Sequence, residues 1–86
     1  MILKIFTQPS CPNCPPAKKL GKDIEKKENG TVVEWYDVTE AEGLAEAAFY
    51  SVMATPSLVL LDDKGKEVKT WRGETPKEEE IAALSA

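Results

Sequence analysis

The strand-like run that opens this chain ends at a pair of cysteines, and that junction constrains the fold more than any other feature. Ile2–Thr7 is apolar and β-branched, breaks at Gln8-Pro9-Ser10, and gives way to Cys11-Pro12-Asn13-Cys14. The cysteines open an amphipathic pattern. Ala17, Leu20 and Ile24 fall at helical spacing, while Lys18, Lys19, Lys22, Lys26 and Lys27 take the other positions. The spacing predicts a helix with one buried face, ended by a left-handed stop at Asn29-Gly30. Thr31–Val38, carrying Val32, Val33, Trp35, Tyr36 and Val38, reads as a second strand. Only a short turn separates helix from strand, so the unit is β-α-β with parallel strands and a right-handed crossover.

The second half follows a different rhythm. Thr39 precedes an Ala- and Glu-rich helix reaching about Tyr50. Leu58–Asp62 is apolar at consecutive positions, as in a strand buried on both faces. Asp63-Lys64-Gly65 is a hairpin turn leading into the returning strand Glu67–Trp71. Thr75-Pro76-Lys77-Glu78 has the form of a capping box with Pro at the first helical position. It opens a last helix with Ile81 and Leu84 facing inward. The order β-α-β-α-β-β-α defines an α/β fold, with a parallel unit and an antiparallel hairpin in one mixed sheet. With 86 residues of even composition, no linker and no repeat, the expectation is one domain over residues 1–86.

The cysteine spacing carries the chemistry. Side chains three apart on a helical turn have Cβ atoms about 5–6 Å apart, and a disulfide needs about 3.5–4.5 Å. A modest adjustment of the first turn therefore opens and closes the pair without moving the fold. A helix start also offers unpaired N–H groups and partial positive charge. Both favour a thiolate at Cys11, and such thiols titrate at about 3.5–7.5 rather than about 8.5. Cys14, one turn inside, is shielded. The asymmetry makes Cys11 the nucleophile and Cys14 the resolving thiol. A structural disulfide is a poorer reading, because closing so short a loop adds little stability. The alternative from another class is a metal or iron–sulfur module, with Cys11 and Cys14 of two chains forming a four-thiolate site across a dimer.

Composition removes other classes. Eleven Lys+Arg against fifteen Asp+Glu give a net charge of −4, which argues against a nucleic-acid or anionic-membrane partner. No histidine is present, so His-based catalysis and His metal sites are excluded. Two cysteines in one chain cannot close a four-ligand zinc site. The longest apolar run, Leu58–Leu61, is far too short to span a bilayer. Met1 leads directly into the first strand with no basic leader, so a cytoplasmic location is expected. The glycines form no phosphate-cradling loop. No cofactor and no resident metal are therefore expected, and electrons have to come from a partner reductase or a small thiol.

Tyr50-Ser51-Val52-Met53-Ala54-Thr55-Pro56-Ser57 joins the second helix to the third strand, and Pro56 is allowed at a strand entry. Together with Phe6-Thr7 and Pro9-Ser10-Cys11-Pro12-Asn13-Cys14-Pro15, this segment resembles the thioredoxin-fold superfamily over essentially the whole chain. The cysteine turn is similar to that of glutaredoxins, and more so to the glutaredoxin-like modules of protein disulfide oxidoreductases. The resemblance implies sheet order 2-1-3-4, with the first and third helices on one face and the second on the other. It also implies a cis Thr55–Pro56 bond beside Cys11. Thr55 and Pro56, with Pro12 and Asn13, then form the substrate-binding surface, where an extended segment pairs with the Thr55 backbone as an added strand. The implied activity is dithiol–disulfide exchange on protein disulfides by a monomer. Ser10 stands where thioredoxins place Trp, and Ile5 where they place a buried Asp. Glu74, in Trp71-Arg72-Gly73-Glu74-Thr75, would repel a glutathione carboxylate.

The remaining conspicuous residues have plainer readings. Trp35, Tyr36 and Trp71 fill sheet faces and edges. Arg72, the single arginine, can pair with Glu74 or dock a substrate carboxylate, and the solvated ion pair is the plainer reading. Lys18, four residues after Cys14, is placed to influence the site, and Met53 offers apolar contact to substrate or fills the core.

Overall fold

Leu3, Ile5 and Phe6 are fully buried, and strand β1 (Ile2–Thr7) accordingly lies inside the sheet with a helical layer on each face. The computed structural model describes residues 1–27 and 30–85. After β1 come α1 (Cys14–Lys27), β2 (Val32–Asp37), α2 (Ala41–Phe49), β3 (Ser57–Leu61), β4 (Glu67–Arg72) and α3 (Glu78–Ser85). The sheet order is β2-β1-β3-β4. β1 runs parallel to β2, with Ile5 opposite Trp35, and antiparallel to β3, with Ile5 opposite Leu58. β3 and β4 form the antiparallel hairpin. Its turn is tied by Asp62, whose carboxylate accepts the Lys64 and Lys66 amides at 2.9 Å each. This is the mixed sheet the sequence implies.

Alternation along the strands divides the core. Leu3 and Ile5, with Leu58, Leu60 and Trp71, pack against Ala17, Leu20 and Ile24 of α1 and Ile81 of α3. Phe6, Val59 and Leu61 face the other way, against Ala47 and Val52, with Tyr36, Val38 and Tyr50 at the margin. All five residues of β3 are buried, as its unbroken apolar run requires. Two helical glycines allow close approach. A Cβ on Gly21 would overlap the Trp35 ring and Ile5 Cδ1, and one on Gly43 would overlap the Asp37 carbonyl. Trp71 is buried and Tyr36 stacks on Phe6 at 5.3 Å, whereas Trp35 on β2 is 36% exposed.

Both helix starts differ from the sequence reading. α1 begins at Cys14, which is therefore the first residue of the helix and not one turn inside it. Pro15 and Pro16 occupy its first turn, where N–H groups have no intrahelical acceptor and their loss costs no bond. They cause no irregularity further along. α3 begins at Glu78, and its first bonds run to the Lys77 carbonyl from the Glu80 and Ile81 amides. Thr75 does not cap it; its hydroxyl is buried without a hydrogen bond. On α3, Ile81 is buried but Leu84 is 36% exposed. At the end of α1, Gly30 has φ of +86°, a left-handed stop, while Asn29 of the expected pair lies outside the described residues.

Candidate active site

The β1–α1 connection brings the cysteines to one edge of the fold. Cys11 and Cys14 are joined by a disulfide, with Cα atoms 5.4 Å apart. The Cys14 amide donates to the Cys11 carbonyl at 3.4 Å, closing the Cys11–Cys14 turn. Ser10, just before it, has φ of +64°. Burial separates the two sulfurs. Cys14 is 1% exposed, whereas Cys11 is half-buried and Pro12 and Asn13 project into solvent.

Pro15 and Pro16 have no N–H, so the start of α1 offers fewer donors to Cys11 than an ordinary helix start would. The side-chain donor comes from the other half of the site. Thr55 Oγ1 lies 3.6 Å from Cys11 Sγ and donates to it. The Thr55–Pro56 peptide bond is cis, and Pro56 is buried while Thr55 is half-buried. The family resemblance implies a role for Thr55 through its backbone, and the hydroxyl adds a second one. Nothing in the linear pattern puts residue 55 beside residue 11, so the sequence gives no sign of it. Met53 is 96% exposed and takes no part in the core. From Thr55, a cavity of about 420 Å³ runs along Val38, Leu44, Val52, Met53 and Ala54. Lys18 is exposed, and its charge is felt at Asp37, whose carboxyl is held below its ordinary value first by the Thr39 hydroxyl hydrogen bond.

The loop carrying Thr55 begins at the end of α2. There the Val52 amide donates to the Ala47 carbonyl and the Ser51 amide to the Ala48 carbonyl, at 2.7 and 3.2 Å. With Ser51 at φ of +57°, this is a Schellman ending whose left-handed position is held by Ser instead of Gly. Arg72 does not pair with Glu74. It reaches across from β4 and donates from Nη2 to the Tyr50 carbonyl at 2.9 Å and from Nε to the Ser51 carbonyl at 3.2 Å. At the far end of the loop, Ser57 Oγ donates to the Ala54 carbonyl at 2.6 Å and accepts the Gly73 amide at 3.2 Å.

A second polar group lies inside the sheet. Lys4, on β1, is 9% exposed and donates to Glu46 of α2 at 2.5 Å, with Glu34 at 3.4 Å. Its Nζ also lies 5.3 Å from the centres of both the Tyr36 and Tyr50 rings. Burial alone would lower the Lys4 pKa. The Glu46 hydrogen bond and the surrounding charges outweigh it, and the pKa rises. The same hydrogen bond holds Glu46 below its ordinary value, and burial pushes Tyr36 up to about 12. An apolar strand pattern gives no sign that its one lysine turns inward. No group of three or more His, Cys, Asp and Glu side chains gathers to hold a metal among the described residues. No helix is long and apolar enough to cross a membrane among them either.

A disulfide-bonded Cys-x-x-Cys turn, faced by a Thr-Pro loop on a four-stranded sheet of order β2-β1-β3-β4, defines a protein of the thioredoxin fold. The family model described as a thioredoxin domain matches residues 1–86, and the chain belongs to that family. A probable thioredoxin of Archaeoglobus fulgidus is 37% identical over 62 residues, covering 72% of this chain and 67% of that one. A thioredoxin of Methanocaldococcus jannaschii is 34% identical over 62 residues, covering 71% of each chain. Among solved structures, Fasciola hepatica thioredoxin superposes with a TM-score of 0.74 at 30% identity, over 95% of this chain and 74% of that one. Family membership and the Cys11–Cys14 pair together support thiol–disulfide oxidoreductase chemistry.

Proposed function

We propose that this chain reduces protein disulfides, with Cys11 as nucleophile and Cys14 as resolving thiol. The observation that carries the reading is the difference between the sulfurs: Cys14 is 1% exposed, while Cys11 is reachable and accepts the Thr55 hydroxyl. In the reduced protein the Cys11 thiolate attacks one sulfur of a substrate disulfide. A Cys11–substrate disulfide forms, and the other substrate sulfur leaves as a thiolate that takes up a proton. Cys14 then loses its proton and attacks Cys11 Sγ, which forms the Cys11–Cys14 bond and releases the second substrate thiol. Two electrons pass to the substrate, and a reductase or a small thiol returns them. The Thr55 hydroxyl stabilises Cys11 whenever it carries charge, as nucleophile or as leaving group.

Pro12 and Asn13 form one rim of the substrate surface, and Thr55 and Pro56 the other. The extended substrate segment pairs with the Thr55 backbone. The protein works as a monomer in the cytoplasm, as one domain over residues 1–86. The test combines Cys14→Ser, Cys11→Ser and the metal content of the purified reduced protein. Cys14→Ser should accumulate a mixed disulfide with a disulfide-bonded protein substrate, and Cys11→Ser should be inactive. Stoichiometric bound metal, or full activity without Cys11, would overturn the reading.

A further inference from the structure

Thr55 sits on a loop that must hold its place against Cys11 without a strand partner of its own, since β3 pairing begins at Ser57. What fixes the loop is β4. The last turn of α2, Glu46-Ala47-Ala48-Phe49, carries no basic residue. A helix C-terminus ends in unpaired carbonyls with partial negative charge. Arg72 supplies that missing cation from a different element, one guanidinium nitrogen to each of two consecutive carbonyls, Tyr50 and Ser51. The planar fork suits such a double contact, and an ammonium does not reproduce it. At the far end, the β4-flanking Gly73 amide and the Ala54 carbonyl share the Ser57 hydroxyl. The segment between these tethers is Val52–Pro56, and Thr55 lies within it. Ser57 is opposite Arg72 in the ladder, so both tethers come from one point at the end of β4.

We infer that Arg72 is a positioning residue for the reaction: by pinning the carbonyls of Tyr50 and Ser51, it holds the Thr55 hydroxyl in place on Cys11 and so sets the reactivity of that sulfur from the opposite side of the loop. The inference rests on the reading of Thr55 and Cys11 above, and it adds a device that the family motif residues do not contain. The guanidinium acts through Thr55 and not by touching the sulfur.

The test measures the Cys11 pKa of the reduced protein, from the pH dependence of alkylation, in Arg72→Met, Arg72→Lys, Thr55→Val and the double variant Thr55→Val/Arg72→Met. Arg72→Met should raise the Cys11 pKa by about half a unit, a threefold change in the thiolate-to-thiol ratio. Arg72→Lys should recover part of that shift. Reduction of a protein disulfide should slow more than reduction of a small disulfide reagent. In the Thr55→Val background, Arg72→Met should add nothing. Ser57→Ala, which releases the other tether, should shift the pKa in the same direction, and it answers the question if Arg72→Met does not fold. An equal Arg72→Met shift with and without the Thr55 hydroxyl would overturn the inference, because the charge would then act on Cys11 directly. So would an unmoved pKa in Arg72→Met and Ser57→Ala when Thr55→Val moves it. An unmoved pKa in Thr55→Val itself would instead overturn the role of Thr55 in the proposed function.

Discussion

Thr55 Oγ1 donates a hydrogen bond to Cys11 Sγ at 3.6 Å across 44 residues of sequence. Hydrogen bonds to charged groups contribute about 1.5–3 kcal/mol, and sulfur is a weak acceptor. Taking the lower end, and about 1.36 kcal/mol per pKa unit, Thr55→Val should raise the Cys11 pKa by about one unit. Thr55→Ser keeps the hydroxyl and should leave the value near that of the native protein. Alkylation rates against pH measure both. A Thr55→Val profile that overlays the native one would show that the contact contributes nothing to the thiolate.

The burial difference predicts an order of modification. Cys14 is 1% exposed and Cys11 half-buried, so limited alkylation of the reduced protein should label Cys11 at least about tenfold faster, the difference that access and thiolate fraction together produce. Peptide mapping of the singly labelled product reads this out. Label appearing first on Cys14 would reverse the assigned roles.

How far these features could be read in advance depends on the range of the forces that make them. The strands, the helices and the order β-α-β-α-β-β-α follow from apolar periodicity, which is local. So does the cysteine turn, since residues 11 to 14 are neighbours in sequence. The start of α1 is not set by the local pattern, because Pro12, Pro15 and Pro16 all tolerate a first turn; the Cys11–Cys14 turn places it at Cys14. The inward turn of Lys4 depends on Glu46, 42 residues away. The grip of Arg72 depends on carbonyls that become free only where α2 stops. Neither is visible in a linear pattern, because each needs the sheet order before the partners meet.

Lys4 and Glu46 make stability depend on pH in a defined direction. Glu46 titrates below its ordinary 4.5, chiefly because Lys4 donates to it. Its contribution is therefore present above the unfolded-state pKa and is lost as pH falls through the lower folded-state value. Glu46→Gln leaves Lys4 short of its best partner and should cost about 1–3 kcal/mol at pH 7. The gap between native protein and variant should shrink as the pH is brought from 7 to 3. Urea unfolding at the two pH values tests this. A gap that stays constant would mean the pair is electrostatically neutral for folding.

Gly43 packs its α-carbon against the end of β2, where an added Cβ would overlap the Asp37 carbonyl. On helix propensity alone, Gly43→Ala should stabilise α2 by about 1 kcal/mol. The collision is with backbone and not with the tip of a flexible side chain, so α2 must shift, and overpacking of this kind costs about 1–3 kcal/mol. The net effect should be destabilising. Ala45→Gly, at an exposed α2 position, reads out propensity alone and should also destabilise, by about 1 kcal/mol. Thermal or urea unfolding of both variants distinguishes the terms. A stabilised Gly43→Ala would show that α2 has room to move on β2.

Ser51 stands at the left-handed position that ends α2, with φ of +57° and its side chain exposed. An L-residue pays about 1–2 kcal/mol there through the contact of its Cβ with the following carbonyl. Glycine avoids that contact, but its freer unfolded chain takes back about 0.5–1 kcal/mol. Ser51→Gly should therefore raise stability by about 0.5–1 kcal/mol, whereas Ser51→Val, β-branched in the same conformation, should lower it. The backbone bonds of the helix ending, Val52 to Ala47 and Ser51 to Ala48, do not involve the side chain and should survive both changes. Urea unfolding with the slope held common to the three proteins measures the difference. If Ser51→Gly proved less stable than the native protein, the serine hydroxyl would have to hold the loop through a contact of its own, and the backbone account of this helix ending would fail.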